Sequence, residues 1–257
     1  MKVCILGSGS SGNSIYVESS NTRLLVDAGL SAKEIERRLH ELDAAPGSLS
    51  AIVVSHEHVD HIRGAGVLAR RYGLPLWGNP LTLAEMSPLF NGSERLEEFS
   101  NGDVFRIGDL LLRPFSVSHD AADPSQFLVT DGQASVGIAT DLGFVSRLVR
   151  QRLGAADLVI LESNHDEQML LDGPYPWPLK QRIKGRKGHL SNQSAAEALA
   201  LLASKGLTRA VLAHLSEENN RPEVALETSK AELRRVGARG FQIMAAQQHC
   251  VSAMITV

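Results

Sequence analysis

The sequence predicts an α/β fold in which two mixed β-sheets pack face to face with helices on their outer faces, an αββα sandwich. Apolar runs of strand length come first and helical periodicities second, and this order occurs twice along the chain. Each half thus contributes mainly one sheet, which must bury its apolar face against the other. The 257 residues, 43% of them apolar, suit one globular domain over residues 1–257, and no period of 20–50 residues marks a repeat array.

The first third reads as strands near Lys2–Leu6, Ser14–Glu18 and Arg23–Asp27, separated by Gly, Ser and Asn turn chemistry. A helix follows, opened by the capping-box pattern Ser31-Ala-Lys-Glu34 and continued by Ile35, Leu39 and Leu42 at helical spacing. Ala51–Ser55 is a buried-strand run, ended by the polar cluster His56–His61, and Ala65–Tyr72 is again helical. Strands return at Leu110–Val117, Phe127–Thr130 and Val136–Thr140; from Ser146 onward helices and strands alternate, with a clear helix over Ala195–Ser204. Between them Asp172–Gly188 combines three prolines, two aromatics and a dense basic run, and is expected to form a long ordered loop or flap.

Several classes are excluded or disfavoured by composition. No run approaches the ~18 apolar residues of a membrane span, and the opening segment is too short in apolar residues for a signal peptide, so a cytoplasmic location and no membrane partner are expected. Cys4 and Cys250 each sit in a short apolar segment, where a buried free thiol packs as a small hydrophobe. A net charge of -3 and a pI near 6.3 exclude a protein that coats nucleic acid by bulk charge, so a polyanion must meet a local basic patch. A homo-oligomer is compatible with this composition.

Five of the nine histidines and two aspartates form the strongest signal. In His56-Glu57-His58-Val59-Asp60-His61, alternate residues His56 and His58 after a strand share one side, and Asp60 and His61 reach a second position one turn on. His119, Asp141 and His214 each follow a separate predicted strand, which is how a fold gathers distant side chains on one rim. Imidazole and carboxylate suit Zn²⁺, Mn²⁺ or Fe²⁺ over Ca²⁺ or Mg²⁺.

The His56–His61 motif with the single residues His119, Asp141 and His214 resembles that of the metallo-β-lactamase-fold hydrolases, over essentially the whole chain. That resemblance implies His56, His58 and His119 on a first divalent metal, Asp60, His61 and His214 on a second, and Asp141 bridging. A hydroxide bridging two such metals, ~3.5–4 Å apart, is the nucleophile such sites provide. Asp60 and His61 stand where true β-lactamases use a cysteine, so antibiotic hydrolysis is not expected.

Leu161-Glu162-Ser163 ends another strand, and Gly188-His189-Leu190-Ser191-Asn192 precedes a helix, whose N-terminal N–H groups attract anions. Glu162 and His189 look like the Glu and His of RNase Z and related phosphodiesterases; His189 lies 25 residues before His214. By that likeness His189, oriented by Glu162, protonates the leaving oxygen, and Asp60, Glu162 and His189 are the catalytic candidates. Lys180, Arg182, Lys184, Ser191 and Asn192 are the candidate substrate contacts, with Tyr175 and Trp177 near for base stacking. The turn Gly7–Asn13 supplies hydroxyls and amides but lacks the lysine of a P-loop. His165 has no derivable role, and His40 and His249 are expected to be structural or at the surface.

Together GSGSSGNS, HEHVDH, SHDAADP, LESNHD, PYPWPLKQRI and GHLSN resemble the YycJ/WalJ branch of that superfamily. The resemblance implies a DNA exonuclease, with 5′-to-3′ polarity and DNA over RNA favoured. The 48 positions from Asp141 to His189 leave no room for the inserted domain of RNase J-type enzymes. Two rival readings share the ligand set: a thioester or lactone hydrolase of the glyoxalase II type, which needs neither Glu162–His189 nor a basic loop, and a regulatory nucleic-acid-binding module that keeps the metal for structure.

Overall fold

The computed structural model describes residues 1–257. Its first half contains β1 (Lys2–Gly7), β2 (Ser14–Glu18), β3 (Arg23–Val26), α1 (Ala32–His40), β4 (Ala51–Val53), α2 (Val59–Ile62), α3 (Ala65–Tyr72), β5 (Leu76–Gly78), α4 (Pro80–Met86) and β6 (Leu96–Glu98). The second half contains β7 (Phe105–Ile107), β8 (Leu110–Ser116), β9 (Ser125–Thr130), β10 (Ser135–Ala139), α5 (Arg147–Leu153), β11 (Leu158–Glu162), α6 (Glu167–Asp172) and α7 (Trp177–Lys184). It closes with α8 (Asn192–Ala203), β12 (Arg209–Ala213), α9 (Pro222–Arg235), β13 (Gln242–Ala245) and β14 (Ile255–Thr256). The strands form two seven-stranded sheets, ordered β14-β1-β2-β3-β4-β5-β6 and β13-β12-β11-β10-β9-β8-β7.

Strand residues alternate between two buried environments. Val3, Ile5, Val17, Val26 and Val53 meet Leu112, Phe127, Val129, Ile138, Ile160 and Val211 between the sheets. Their neighbours Cys4, Leu6, Tyr16, Leu25 and Ile52 pack outward against Ile35 and Leu39 of α1 and Leu68 of α3. Val159, Leu161 and Leu212 of the second sheet do the same against Val149, Leu153, Leu199 and Leu233 of its helices. Burial on both faces explains why Ala51-Ile-Val-Val54 is continuously apolar rather than alternating. Each such side chain contributes about 1.5–3 kcal/mol on burial.

The helices start where side chains replace missing backbone partners. Ser31 accepts from the Glu34 amide, Ser146 from that of Val149 and Ser191 from that of Ser194. Gly73, at φ 64°, ends α3 in the left-handed conformation that glycine adopts without strain.

Strand direction places the functional rim. β3 runs parallel to β4, and β10, β11 and β12 run parallel to one another. β8 is antiparallel to β9 and β9 to β10, so β8 points the same way as β10. The residues just past these strand ends, among them Asp27, His56, His119, Asp141 and His214, therefore share one edge of the sandwich.

Two expectations change. Asp172–Gly188 is not all loop, because Trp177–Lys184 closes into α7 after a proline-set N-terminus. Cys250 is exposed although Cys4 is buried, because the short segment around it lies outside any strand or helix; both thiols are free. His40 and His249 are exposed, as expected.

Candidate active site

The site begins at the C-terminal ends of β3 and β4. Asp27 adopts φ 61°, a left-handed conformation costly for a non-glycine residue and found where surrounding bonds over-determine it. Its carboxylate accepts from the Ser55 amide at 2.7 Å and the Ser55 hydroxyl at 2.8 Å, and lies 2.8 Å from His61 Nδ1. Ser55 Oγ in turn lies 2.9 Å from His56 Nδ1. One buried carboxylate thus engages the Nδ1 side of two imidazoles and leaves Nε2 of each to face the centre, the usual outer support of metal-binding histidines.

Four groups of converging ligand atoms follow: His56, His58 and His119; Asp60, His61 and His214; His56, His61 and Asp141; and Asp141, Glu162, His189 and His214. Within each, the atoms lie within 4.8 Å of one another. All seven residues expected on two metals are therefore brought together, and Asp141 stands between the two sets. His119 Nδ1 lies 3.2 Å from the Gly188 carbonyl, its Nε2 facing His58 Nδ1 at 3.2 Å. Asp141 and His214, like Asp27, are left-handed, at φ 54° and 53°. This backbone geometry at strand ends has no sequence signature.

The donor set fits divalent metal. His56 Nε2, His214 Nε2 and Asp141 Oδ2 are buried and lack hydrogen-bond partners. Such an atom costs about 1–3 kcal/mol unless something satisfies it, which a cation among them would do. Negative charge also dominates: burial depresses the His61 and His214 imidazoles, yet Asp141 leads the carboxylates that raise both well above the ordinary histidine value.

Beside this cluster Glu162, the last residue of β11, is fully buried. Its Oε2 accepts from the Leu142 and Leu190 amides at 3.1 and 2.9 Å, and its Oε1 lies 2.8 Å from His189 Nδ1. Burial pushes this carboxyl up, but His189 and then His214 outweigh it and hold it at about 2. Burial pulls His189 down, and Glu162 reverses that, so the imidazole is raised overall. His189 lines a cavity of about 200 Å³ with Ser10, Asp120, Tyr175, Arg182 and Gly188.

The expected substrate contacts divide. Lys180 is corrected: it is buried, and its ammonium donates to the Leu171 and Gly173 carbonyls at 2.6 and 2.7 Å, fastening α7 to the end of α6. Ser191 and Asn192 are corrected as well, since both are buried and already engaged. Ser191 caps α8, whereas Asn192 accepts from Ser163 Oγ and donates to Asn220 Oδ1. Arg182 lies on the cavity wall, donating to Asp120 Oδ2 at 2.6 Å, and Lys184 is at the surface 3.8 Å from Glu167. Trp177 is exposed.

Sequence reasoning passed over Asp27, Ser55, Ser8 and Asn13 as site residues. Asn13 Nδ2 lies 3.2 Å from Asp60 Oδ2 and 3.1 Å from His61 Nε2, and the His214 amide donates to Ser8 Oγ at 2.7 Å. Asp27 and Ser55 are marked in the sequence only as polar residues at the ends of apolar strands, and Ser8 and Asn13 only as members of the Gly7–Asn13 turn. His165 is buried with Nδ1 unpartnered, and burial holds its imidazole down at about 4.

This architecture and its His/Asp centre define a metallo-β-lactamase-fold hydrolase. Residues 22–215 match the Beta-lactamase superfamily domain. The chain is 42% identical over 236 residues to a protein of Streptococcus pneumoniae named Exodeoxyribonuclease WalJ, covering 90% of this chain and 88% of that one. It is 41% identical over 223 residues to Exodeoxyribonuclease YycJ of Bacillus anthracis, covering 86% and 84%. Among solved structures, the metallo-beta-lactamase fold protein YhfI of Bacillus subtilis superposes with a TM-score of 0.76 at 19% identity, over 98% of each chain. The chain belongs to the beta-lactamase superfamily, in its WalJ/YycJ branch. It is an enzyme of a divalent-metal-binding fold, and no helix is long and apolar enough to cross a membrane.

Proposed function

We propose that this protein is a dinuclear-metal phosphodiesterase that degrades DNA from a strand end, 5′-to-3′ in polarity. The observation that carries the phosphodiester reading is the 2.8 Å contact between Glu162 and His189, an imidazole beside the ligand cluster with its other nitrogen free to act. The exodeoxyribonuclease names of relatives at 41–42% identity favour DNA and an end-directed mode.

His56, His58 and His119 would hold one ion and Asp60, His61 and His214 the other, with Asp141 between; zinc or manganese suits these ligands best. When bound, such a pair lowers the pKa of water toward ~7 and draws charge from a phosphoryl oxygen. The chain's own residues do the rest. Asp27, through Ser55 and directly, fixes the rings of His56 and His61. Glu162 holds Nδ1 of His189 so that Nε2 can give a proton to the oxygen that departs, a role typically worth ~10²–10⁴-fold. Arg182 and Tyr175, on the wall of the same cavity, supply charge and an aromatic face to the nucleotide next to the cut.

End-labelled single- and double-stranded DNA and RNA, incubated with Mn²⁺ or Zn²⁺, test this reading. Stepwise release of mononucleotides from the 5′ end of DNA is expected. Turnover of S-lactoylglutathione without turnover of bis-p-nitrophenyl phosphate would instead assign the glyoxalase II type, and absence of any metal-dependent turnover would leave a binding module.

A further inference from the structure

Residues 142–156 carry three arginines and residues 173–196 five lysines and arginines, with no acid in either stretch, although the chain as a whole has 29 acids and a net charge of -3. The fold brings these two stretches together. The Arg186 guanidinium lies 4.3 Å over the Phe144 ring, and its carbonyl accepts from Ser118 Oγ at 2.8 Å. A β-carbon on Gly143 would collide with that same Arg186 carbonyl, so only glycine permits so close an approach of the two backbones.

From Phe144 a groove runs on between α5 and α8. Phe144, Val145, Arg150, Ser194, Glu197 and Leu201 line its first part, and Arg147, Arg150, Gln151, Leu201 and Lys205 its second. Arg147 and Arg150 are exposed one helical turn apart. None of Arg147, Arg150, Arg186, Lys187 and Lys205 makes a salt bridge, in contrast to Arg182 and Lys184. Glu197 is the acid among the lining residues, and it accepts from Gln193 Nε2 at 2.8 Å. The N-terminus of α8 adjoins His189, while Lys205 lies just past its other end; twelve residues at ~1.5 Å each separate the two by about 18 Å.

Building on the nuclease reading above, we propose that the α5–α8 groove is a second polynucleotide-binding surface, which carries the phosphodiester backbone of the substrate strand away from the cavity beside His189. Unpaired cations strung along one path match a row of phosphates, and about 18 Å is room for several of them. A substrate of one or two nucleotides ends before reaching Arg150. Arg186, stacked on Phe144, is the joint between the cavity and the track.

The test compares the metal-loaded protein with a triple variant, Arg147→Ala, Arg150→Ala and Lys205→Ala, and with a charge-keeping Arg147→Lys, Arg150→Lys protein. Binding of fluorescent, phosphorothioate-protected single-stranded DNA of roughly 2 and 20 nucleotides is followed by anisotropy over a salt series. For the longer strand the triple variant should bind more weakly and lose about two units of log–log salt slope, three contacts at ~0.7 each, whereas the lysine variant keeps the slope. The shorter strand and bis-p-nitrophenyl phosphate should be handled as by wild type. An unchanged slope on the longer strand, in a wild-type protein that does cleave DNA, would overturn the track alone. Equal weakening on both lengths would also overturn it, as a general distortion of the site. A wild-type protein that neither binds nor cleaves polynucleotide would overturn both readings.

Discussion

His189 and His214 share one carboxylate oxygen: Glu162 Oε1 lies 2.8 Å from Nδ1 of each, and the two rings stand 5.2 Å apart. The same atom therefore supports a candidate metal ligand and the candidate proton donor. Removing one histidine and removing the carboxylate should thus have different consequences.

His189→Ala is expected to retain metal and slow DNA cleavage by roughly 10²–10⁴-fold. With a p-nitrophenyl phosphodiester, whose leaving group departs without a proton, the deficit should shrink. Metal content by plasma emission and rates on both substrates check this. An equally large loss on both would assign His189 to phosphate binding, and lost metal would contradict either role.

Glu162→Gln should instead reduce metal affinity and cleavage together, because a metal-binding histidine that loses its outer partner commonly binds ~10–100-fold more weakly. Asp27→Asn is expected to act similarly through His61 and Ser55. Competition with a zinc-chelating dye measures both. Affinity unchanged in the two variants would mean that these carboxylates do not orient the ligands.

His58→Ala and Asp141→Ala should each lower bound metal and abolish hydrolysis, since each removes a ligand of the cluster itself. Near-normal metal content with retained activity in both would remove the dinuclear assignment.

Lys180 and the basic run beyond it should separate cleanly. Lys180→Ala breaks two hydrogen bonds from a buried ammonium to carbonyls, at about 1.5–3 kcal/mol each, and should lower the melting temperature by several degrees. Lys184→Ala, Arg186→Ala and Lys187→Ala combined should leave the melting point nearly unchanged and flatten the salt dependence of polynucleotide binding. Calorimetry and binding titrations distinguish the two, and a salt slope that survives the triple change would make that segment a solvated surface only.

Local chemistry determined much of this protein from its sequence. Ser14–Glu18 and Ala65–Tyr72 have the bounds their apolar spacing predicts, and the αββα order follows from strands preceding helices in each half. The ligand candidates were legible because histidine and aspartate directly after apolar runs are chemically conspicuous, whatever the fold does with them. Tertiary structure alone decided who meets whom. Asp27 reaches His61 across 34 residues and Ser8 reaches the His214 amide across 206, separations at which residue spacing carries no information. Lys180 shares the sequence pattern of Arg182 and Lys184, yet the first turn of α7 aims it inward at carbonyls left free near the end of α6. Periodicity and residue chemistry are properties of neighbours along the chain. Burial, left-handed strand ends and the sharing of Glu162 by two histidines depend on sheet order, which fixes the distances between residues that the chain keeps far apart.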